Sequence, residues 1–339
     1  MKRWLLSGAW LWLCSMGALA ADWILPTINR GLFSGDYPGF YMYVPRIWKG
    51  KAYQVWQGGK YGFVRSPVKS RGEVLYMKFH EGVDIRPLRR DAKGDPLDLV
   101  WSAAPGRVVH VNSVTGASSY GKYVVVAHEC PDGNYYSLYA HLTRATVEIG
   151  HVVRAGTPIG ELGYTGPGLN RERAHLHFEI NLLLEDRFNV WHRSFAGSRN
   201  PHGLYNGLNL AGLPVADFLL AQRANPGLLI RDFLQQRKPY YKVRVPKDGS
   251  RLEIRSRYPW LLQDNDPSSN AWEISFASTG VPLAIRGVTS TSTTPEVVWV
   301  QKNPHPHTYY TRKRLTGSGA TAKLTHSGLR YINLVTGRF

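Results

Sequence analysis

Ala174-His175-Leu176-His177-Phe178-Glu179-Ile180 alternates polar and apolar side chains. Such alternation predicts a β-strand, whose side chains point to opposite faces in turn. His175, His177 and Glu179 then share one face, and Leu176, Phe178 and Ile180 share the other. Two imidazoles side by side above an apolar strand suit a metal ion and a catalytic neighbour. Further ligands must come from elsewhere in the chain. His80-Glu81-Gly82-Val83-Asp84 offers an imidazole and a carboxylate. Both are ordinary zinc ligands, and three protein ligands leave a position open for water. By geometry alone, His175 and His177 are equal candidates for the ion.

His80 and Asp84 impose a condition. Four residues along a straight strand span about 13 Å, too far for two side chains to share one ion. A helix would bring them together, but Gly82, Val83, Ile85 and Pro87 disfavour one. The chain must therefore bend near Gly82, where the absence of a Cβ permits it.

The 339 residues suffice for two domains, and 43% are apolar. With 34 Gly, 21 Pro and 41 aromatic residues, the composition favours short strands and tight turns over long helices. The first twenty residues resemble a leader. Lys2 and Arg3 precede an apolar stretch from Trp4 to Gly17, and Ala18-Leu19-Ala20 forms a small-x-small cleavage site. The stretch is short for a membrane span, and no later segment is long and apolar enough to be one. Leu13 before Cys14 speaks against a lipoprotein site. Removal of the leader leaves Cys130 unpaired at a Pro131-Asp132-Gly133 turn, where a half-buried inert thiol is expected.

The formal net charge is +18. Such a surplus suits nucleic acid in general. Export makes an anionic wall or outer-membrane polymer the better match, and no nucleic-acid partner is expected. From residue 201 onward there are 18 Lys and Arg against 8 Asp and Glu.

Four regions follow: a signal peptide at 1–20, an aromatic and Gly-rich lead-in at 21–70, the chemistry at 71–185, and a basic region at 186–339. The third is dense in strand signals. Arg107–Val111, Tyr123–His128 and Tyr135–Leu142 read as strands, the last two joined by the Asp132-Gly133-Asn134 turn. Gly150–Gly160 reads as two short strands between glycines, and Leu88–Asp98 as a polar surface insertion. The basic region promises helices at Pro214–Leu220 and Leu228–Arg237. Strands are expected at Lys242–Val245, Leu252–Ile254, Trp272–Phe276 and Val297–Val300. The fold class is therefore mainly β.

His80-x-Gly-x-Asp84-Ile85, Leu138-Tyr139-Ala140-His141-Leu142 and His175-Leu-His177-Phe-Glu-Ile180, in that order, resemble the lysostaphin/LytM-type zinc endopeptidases. Gly121–His128 resembles that family's central strand, and Val147–Gly156 its Gly-punctuated hairpin. The likeness covers about residues 74–185. It implies an antiparallel duplicated-hybrid-motif sheet and an exported, periplasmic or secreted enzyme that cleaves peptide cross-links of peptidoglycan. It also implies one zinc per chain. Carried over residue by residue, it makes His80, Asp84 and His177 the zinc ligands, and His141 and His175 the non-ligand catalytic histidines. Two departures stand out. Glu172-Arg173-Ala174 replaces the usual Gly-Pro before the paired histidines, and the Leu88–Asp98 segment is longer than usual.

A non-catalytic relative that binds the wall or regulates its hydrolases would be expected to lose ligands, and all five positions are kept. A lipoyl- or biotinyl-type carrier needs a lysine at a turn tip, and none follows Lys122 before the His175 strand ends. Glu179 reads equally well as an orienting partner of a ligand imidazole or as a surface carboxylate. Tyr76 is a candidate oxyanion partner. His305-Pro306-His307 is a weak second metal candidate, because its proline breaks a strand. His110, His128, His151, His192, His202 and His326 read as structural.

Overall fold

The computed structural model describes residues 22–197 and 199–339. The expected signal peptide, with Cys14, lies outside them. Among the described residues, no helix is long and apolar enough to cross a membrane.

The β-branched run Val124-Val125-Val126 forms the heart of the strand Tyr123–Cys130. The chain reverses at Asp132-Gly133, where Gly133 takes a φ of 140°. Gly133–Ala140 then pairs back in register, Val126 opposite Ser137. Leu176–Leu183 lies beside that strand, with Phe178 opposite Tyr139 and His177 opposite Ala140. On its far side it pairs with two short strands, Val83–Ile85 along its first half and Leu210–Gly212 along its second. Gly106–Asn112 and Val152–Val153 complete a seven-stranded antiparallel sheet.

Alternation divides the sheet as expected. Leu176, Phe178 and Ile180 enter the main apolar cluster with Val124, Val126 and Tyr139. The opposite face carries a smaller cluster of Tyr123, Val125, Tyr136, Leu138 and Leu183, against which Leu204 and Tyr205 pack. His177 and Glu179 stand on this second face.

The lead-in belongs to the same body. Trp23, Leu25, Phe40 and Tyr41 are core residues. Met42 N–H donates to the Asp84 carbonyl at 2.8 Å, and Arg86 N–H to that of Phe40 at 2.9 Å. The strand Gly62–Ser70 forms a long hairpin with Glu73–His80, so pairing crosses the 70/71 boundary.

The basic region holds a five-stranded sheet in the order Leu262–Asp264, Pro282–Val288, Ala271–Phe276, Tyr241–Pro246 and Glu296–Val300. Three of these strands and helices Val215–Ala224 and Ile230–Gln235 fall near the expected positions. The Leu252–Ile254 strand does not form. Leu252 adopts a φ of 47°, and a helical turn runs over Ile254–Arg257. The Arg251 and Leu252 N–H groups instead donate to the Thr336 carbonyl at the end of a helix, His326–Thr336. With these two bonds in place, Leu252 and Ile254 are buried in the core without a sheet partner. Phe276, Ile274 and Val335 share one apolar cluster with Leu176 and Phe178. Truncating the basic region would therefore open the core beneath the central sheet.

His305 is committed to structure. Its ring nitrogens lie 3.0 Å from Ser70 Oγ and 3.2 Å from Glu73 Oε2, while His307 Nδ1 lies 3.0 Å from the Tyr240 hydroxyl. Cys130 is half-buried at its hairpin turn, where burial and then the Asp132 charge push its thiol up to about 12.

Candidate metal centre and catalytic site

The required bend occurs where the sequence places it. The strand Glu73–His80 ends, the chain turns through Glu81-Gly82, and Val83–Ile85 begins. A Cβ on Gly82 would strike the Phe178 carbonyl oxygen, so glycine allows the turn to press against the central strand. Pairing then sets Asp84 directly opposite His177. His80 arrives from the hairpin end. All three side chains are buried, at 2, 6 and 5% exposure for His80, Asp84 and His177.

Three atoms converge. His80 Nε2, Asp84 Oδ1 and His177 Nδ1 form a triangle with each edge 3.0 Å. Ligands about 2.0–2.1 Å from a tetrahedral zinc lie about 3.3 Å apart, so this set fits the ion with a small expansion. The outward nitrogens support the same use. His80 Nδ1 lies 2.7 Å from the Lys60 carbonyl, which can only accept, so Nδ1 carries the proton and Nε2 keeps its lone pair. His177 Nε2 lies 2.7 Å from Glu179 Oε1, which leaves its Nδ1 for the triangle by the same logic. Among the described residues, these three form the one group of His, Cys, Asp or Glu with metal-holding geometry.

Charge reinforces the arrangement. Burial opposes ionisation of Asp84, but His80, His175 and the Arg65 guanidinium outweigh it and hold its carboxyl well below the usual carboxylate range. Burial would likewise lower His177, but Asp84 and Glu179 raise it to about 10. A cation between these groups replaces the proton they would otherwise retain.

Arg65 was invisible in so basic a sequence. Its Nη2 donates to Asp84 Oδ2, and its Nε donates to the Gly58 carbonyl at 2.8 Å. Oδ1 is thereby left facing the triangle. Glu179 is not a surface carboxylate: it is 1% exposed and also accepts a hydrogen bond from the Tyr120 hydroxyl at 2.8 Å. The Tyr120 ring lies 5.5 Å from that of His177. Tyr76 stacks instead on Tyr53, up the hairpin, leaving Tyr120 as the aromatic hydroxyl beside the histidines. Removing the Glu179 charge with Glu179→Gln should weaken zinc binding by roughly 10- to 100-fold. Competition with a chelator measures this; an unaltered affinity would show that the His177 ring is oriented without it.

His141 and His175 complete the cluster, their ring centroids 4.7 Å apart. His141 follows Ala140, the residue opposite His177, and takes a φ of 63°. That left-handed conformation costs a β-strand terminus of order 1–3 kcal/mol. Nδ1 of His141 faces the Thr165 carbonyl at 2.8 Å, and Nδ1 of His175 faces that of Arg173 at 2.7 Å. Both rings therefore hold a proton on Nδ1 and leave the lone pair on Nε2. Burial, then the neighbouring His175 and His177, hold the His141 pKa well below its ordinary value. His175 Nε2 is 3.4 Å from Asp84 Oδ1, outside the 3.0 Å triangle.

The two sequence departures meet in space. Asp95, from the Leu88–Asp98 insertion, accepts from Arg171 Nε at 2.8 Å and from the Tyr164 hydroxyl at 2.9 Å. Arg90 donates to the Arg171 carbonyl at 2.8 Å. The insertion thus braces the turn Arg171–Arg173 that leads into His175.

Residues 78–189 match the model of peptidase family M23. No curated protein matches the chain. Among solved structures, the catalytic domain of a variant of the prophage-encoded M23 protein EnpA from Enterococcus faecalis is 27% identical. That match covers 36% of this chain and 75% of the other, with a TM-score of 0.25. The catalytic domain of lysostaphin from Staphylococcus simulans is 20% identical over 48% of this chain and 89% of its own, with a TM-score of 0.29. A zinc-containing peptidase from Vibrio cholerae is 26% identical over 42% of this chain and 36% of its own, with a TM-score of 0.24.

Proposed function

We propose that this chain is an exported zinc metalloendopeptidase that hydrolyses peptide cross-links of peptidoglycan, a reading supported by the match of residues 78–189 to the model of peptidase family M23. The observation that carries this reading is the triangle of His80 Nε2, Asp84 Oδ1 and His177 Nδ1 beside two further histidines. Zinc held there by His80, Asp84 and His177 would supply Lewis acidity toward the scissile carbonyl and would acidify water.

The chain's own groups do the rest. Arg65 and Glu179 hold Asp84 and His177 in their ligating orientations. His141 and His175, each with Nδ1 tied to a carbonyl, present Nε2 to the space before the triangle. One removes a proton from the attacking water and the other, once protonated, stabilises the developing oxyanion. An amide carbonyl is weakly electrophilic and develops negative charge on attack, so this centre suits peptide bonds. Glycan hydrolysis commonly uses two carboxylates across the scissile bond. Here Asp84 belongs to the triangle, and Glu179 is buried beneath His177.

Residues 71–185 carry the chemistry in this reading, and the basic region at 186–339 holds the enzyme to anionic wall or outer-membrane polymer. Digestion of purified peptidoglycan tests the whole proposal. New free amino groups should appear without new reducing sugar ends, and a chelator should abolish their release. Sedimentation with the insoluble wall should weaken at high salt. Reducing ends that persist under chelation would overturn the peptidase reading.

A further inference from the structure

A second constellation stands apart from the histidines. A cavity of about 170 Å³ lies between the edge strand Leu210–Gly212, the helix Phe188–Ala196, the turn at Thr279-Gly280 and the C-terminal helix. Its walls are largely apolar, yet Arg312, Arg314 and Arg330 all line it. Arg314 is 7% exposed. It donates to the Thr279 carbonyl at 2.9 Å and stacks its guanidinium 3.3 Å from the Tyr331 ring centroid. Among the described residues no carboxylate pairs with it; the charged or ionisable groups that bear on it are Tyr331, Arg312 and Tyr241. Burial and the like charge of Arg312 both work against its cation. A buried guanidinium without an anion is costly, and an incoming carboxylate would relieve that cost.

The backbone is shaped for this placement. Gly280 has a φ of 97°, and a Cβ there would collide with Arg314 Nη1. Arg312 and Lys313 are consecutive non-glycine residues at φ values of 53° and 60°. Such strain persists only where surrounding structure enforces it, commonly at ligand sites. It directs Arg312 over the Phe79 ring, at 4.7 Å, and to Glu81 at 3.2 Å. Phe79 and Glu81 flank His80. Arg312 and Leu208 also border a second cleft, of about 430 Å³, that contains Tyr120 and Glu81. The two cavities therefore share Arg312 and Leu208 as a common border, with Tyr120 in the wall of the larger one.

We propose that this cavity is a substrate subsite that takes a free carboxylate of the cross-link peptide, with Arg314 and Arg312 as its binding groups and Arg330 at its mouth. Its connection to catalysis rests on the peptidase reading above; its affinity for a carboxylate does not. The cavity's small volume suits one carboxyl group and its aliphatic stem, while the larger cleft holds the chain that leads toward the histidines.

Calorimetric titration with peptides released from purified peptidoglycan tests this, using native peptides and the same peptides with every carboxyl converted to a methylamide. The zinc-loaded wild-type protein should bind the native peptides roughly 10- to 100-fold more tightly. Arg314→Gln should bring that ratio close to one. Should that buried substitution unfold the protein, Arg312→Gln, at a half-exposed position, should still lower the ratio several-fold. Equal affinity for the two peptide sets, or an undiminished ratio in folded Arg312→Gln, would overturn the subsite. So would displacement by inorganic phosphate with no carboxylate preference. Discrimination without any cleavage of peptidoglycan would retain the subsite and sink the peptidase reading. Cleavage of native and methylamidated cross-links with equal KM would do the reverse.

Discussion

Asp84→Ala and His177→Ala should each reduce bound zinc from one ion per chain to near none, and turnover with it. Both residues place a single atom in a triangle whose edges are 3.0 Å, and neither has a substitute. The nearest further carboxylate, Glu179, lies on the far side of the His177 ring, at Nε2. His175 Nε2 is 3.4 Å from Asp84 Oδ1, but His175 does not belong to the group of mutually close ligand atoms formed by His80, Asp84 and His177. The loss of affinity should therefore exceed the roughly 10- to 100-fold typical of outer partners. Elemental analysis after desalting reads the result directly. Asp84→Asn and His177→Gln keep the approximate volume and separate ligand loss from core damage. Full zinc content in folded Asp84→Asn and His177→Ala would refute the ligand set.

His141→Ala and His175→Ala should show the opposite pattern, with zinc retained and turnover lowered roughly 10²- to 10⁴-fold. Each ring holds its proton on Nδ1 against a carbonyl, and neither belongs to the triangle, so in the proposed reaction each would turn Nε2 to the substrate. The pH profile adds the assignment: the variant lacking the base should lose the acidic limb of kcat/KM. His141 permits a further check, because its φ of 63° is strained for any residue with a Cβ. His141→Gly should lose turnover while keeping or gaining thermal stability. A residue kept merely for packing would show the reverse. Zinc loss from His175→Ala would exchange the roles of the two strand histidines. Near-wild-type turnover in His141→Ala would return that residue to the core.

Much of this architecture was legible because it is local. The alternation from His175 to Ile180 predicts a strand with two histidines on one face, and that strand forms with Leu176, Phe178 and Ile180 in the core. The distance argument between His80 and Asp84 requires a bend at Gly82, and the chain turns there. Turn chemistry at Asp132-Gly133 and the Val124–Val126 run locate the central hairpin. Some local signals were nevertheless missed. Thr325 caps the C-terminal helix by accepting from Gly328 N–H, and Gly337 ends it at a φ of 67°. Phe188, Trp191 and Phe195 mark one face of another helix.

The candidates for a metal centre could be read from residue type and strand period, which are properties of short segments. How those side chains face one another is a matter of long-range pairing. Pairing between distant strands sets Asp84 opposite His177, and this choice turns His177 Nδ1 inward and leaves Nε2 for Glu179. Arg65 at Asp84, Tyr120 at Glu179 and the unpaired charge of Arg314 are likewise long-range placements. So is the apolar cluster that joins the basic region to the central sheet, where Leu252 and Ile254 follow the end of a distant helix instead of their own strand-like pattern. Burial and hydrogen bonding depend on which surfaces meet, and no spacing along the chain encodes that meeting.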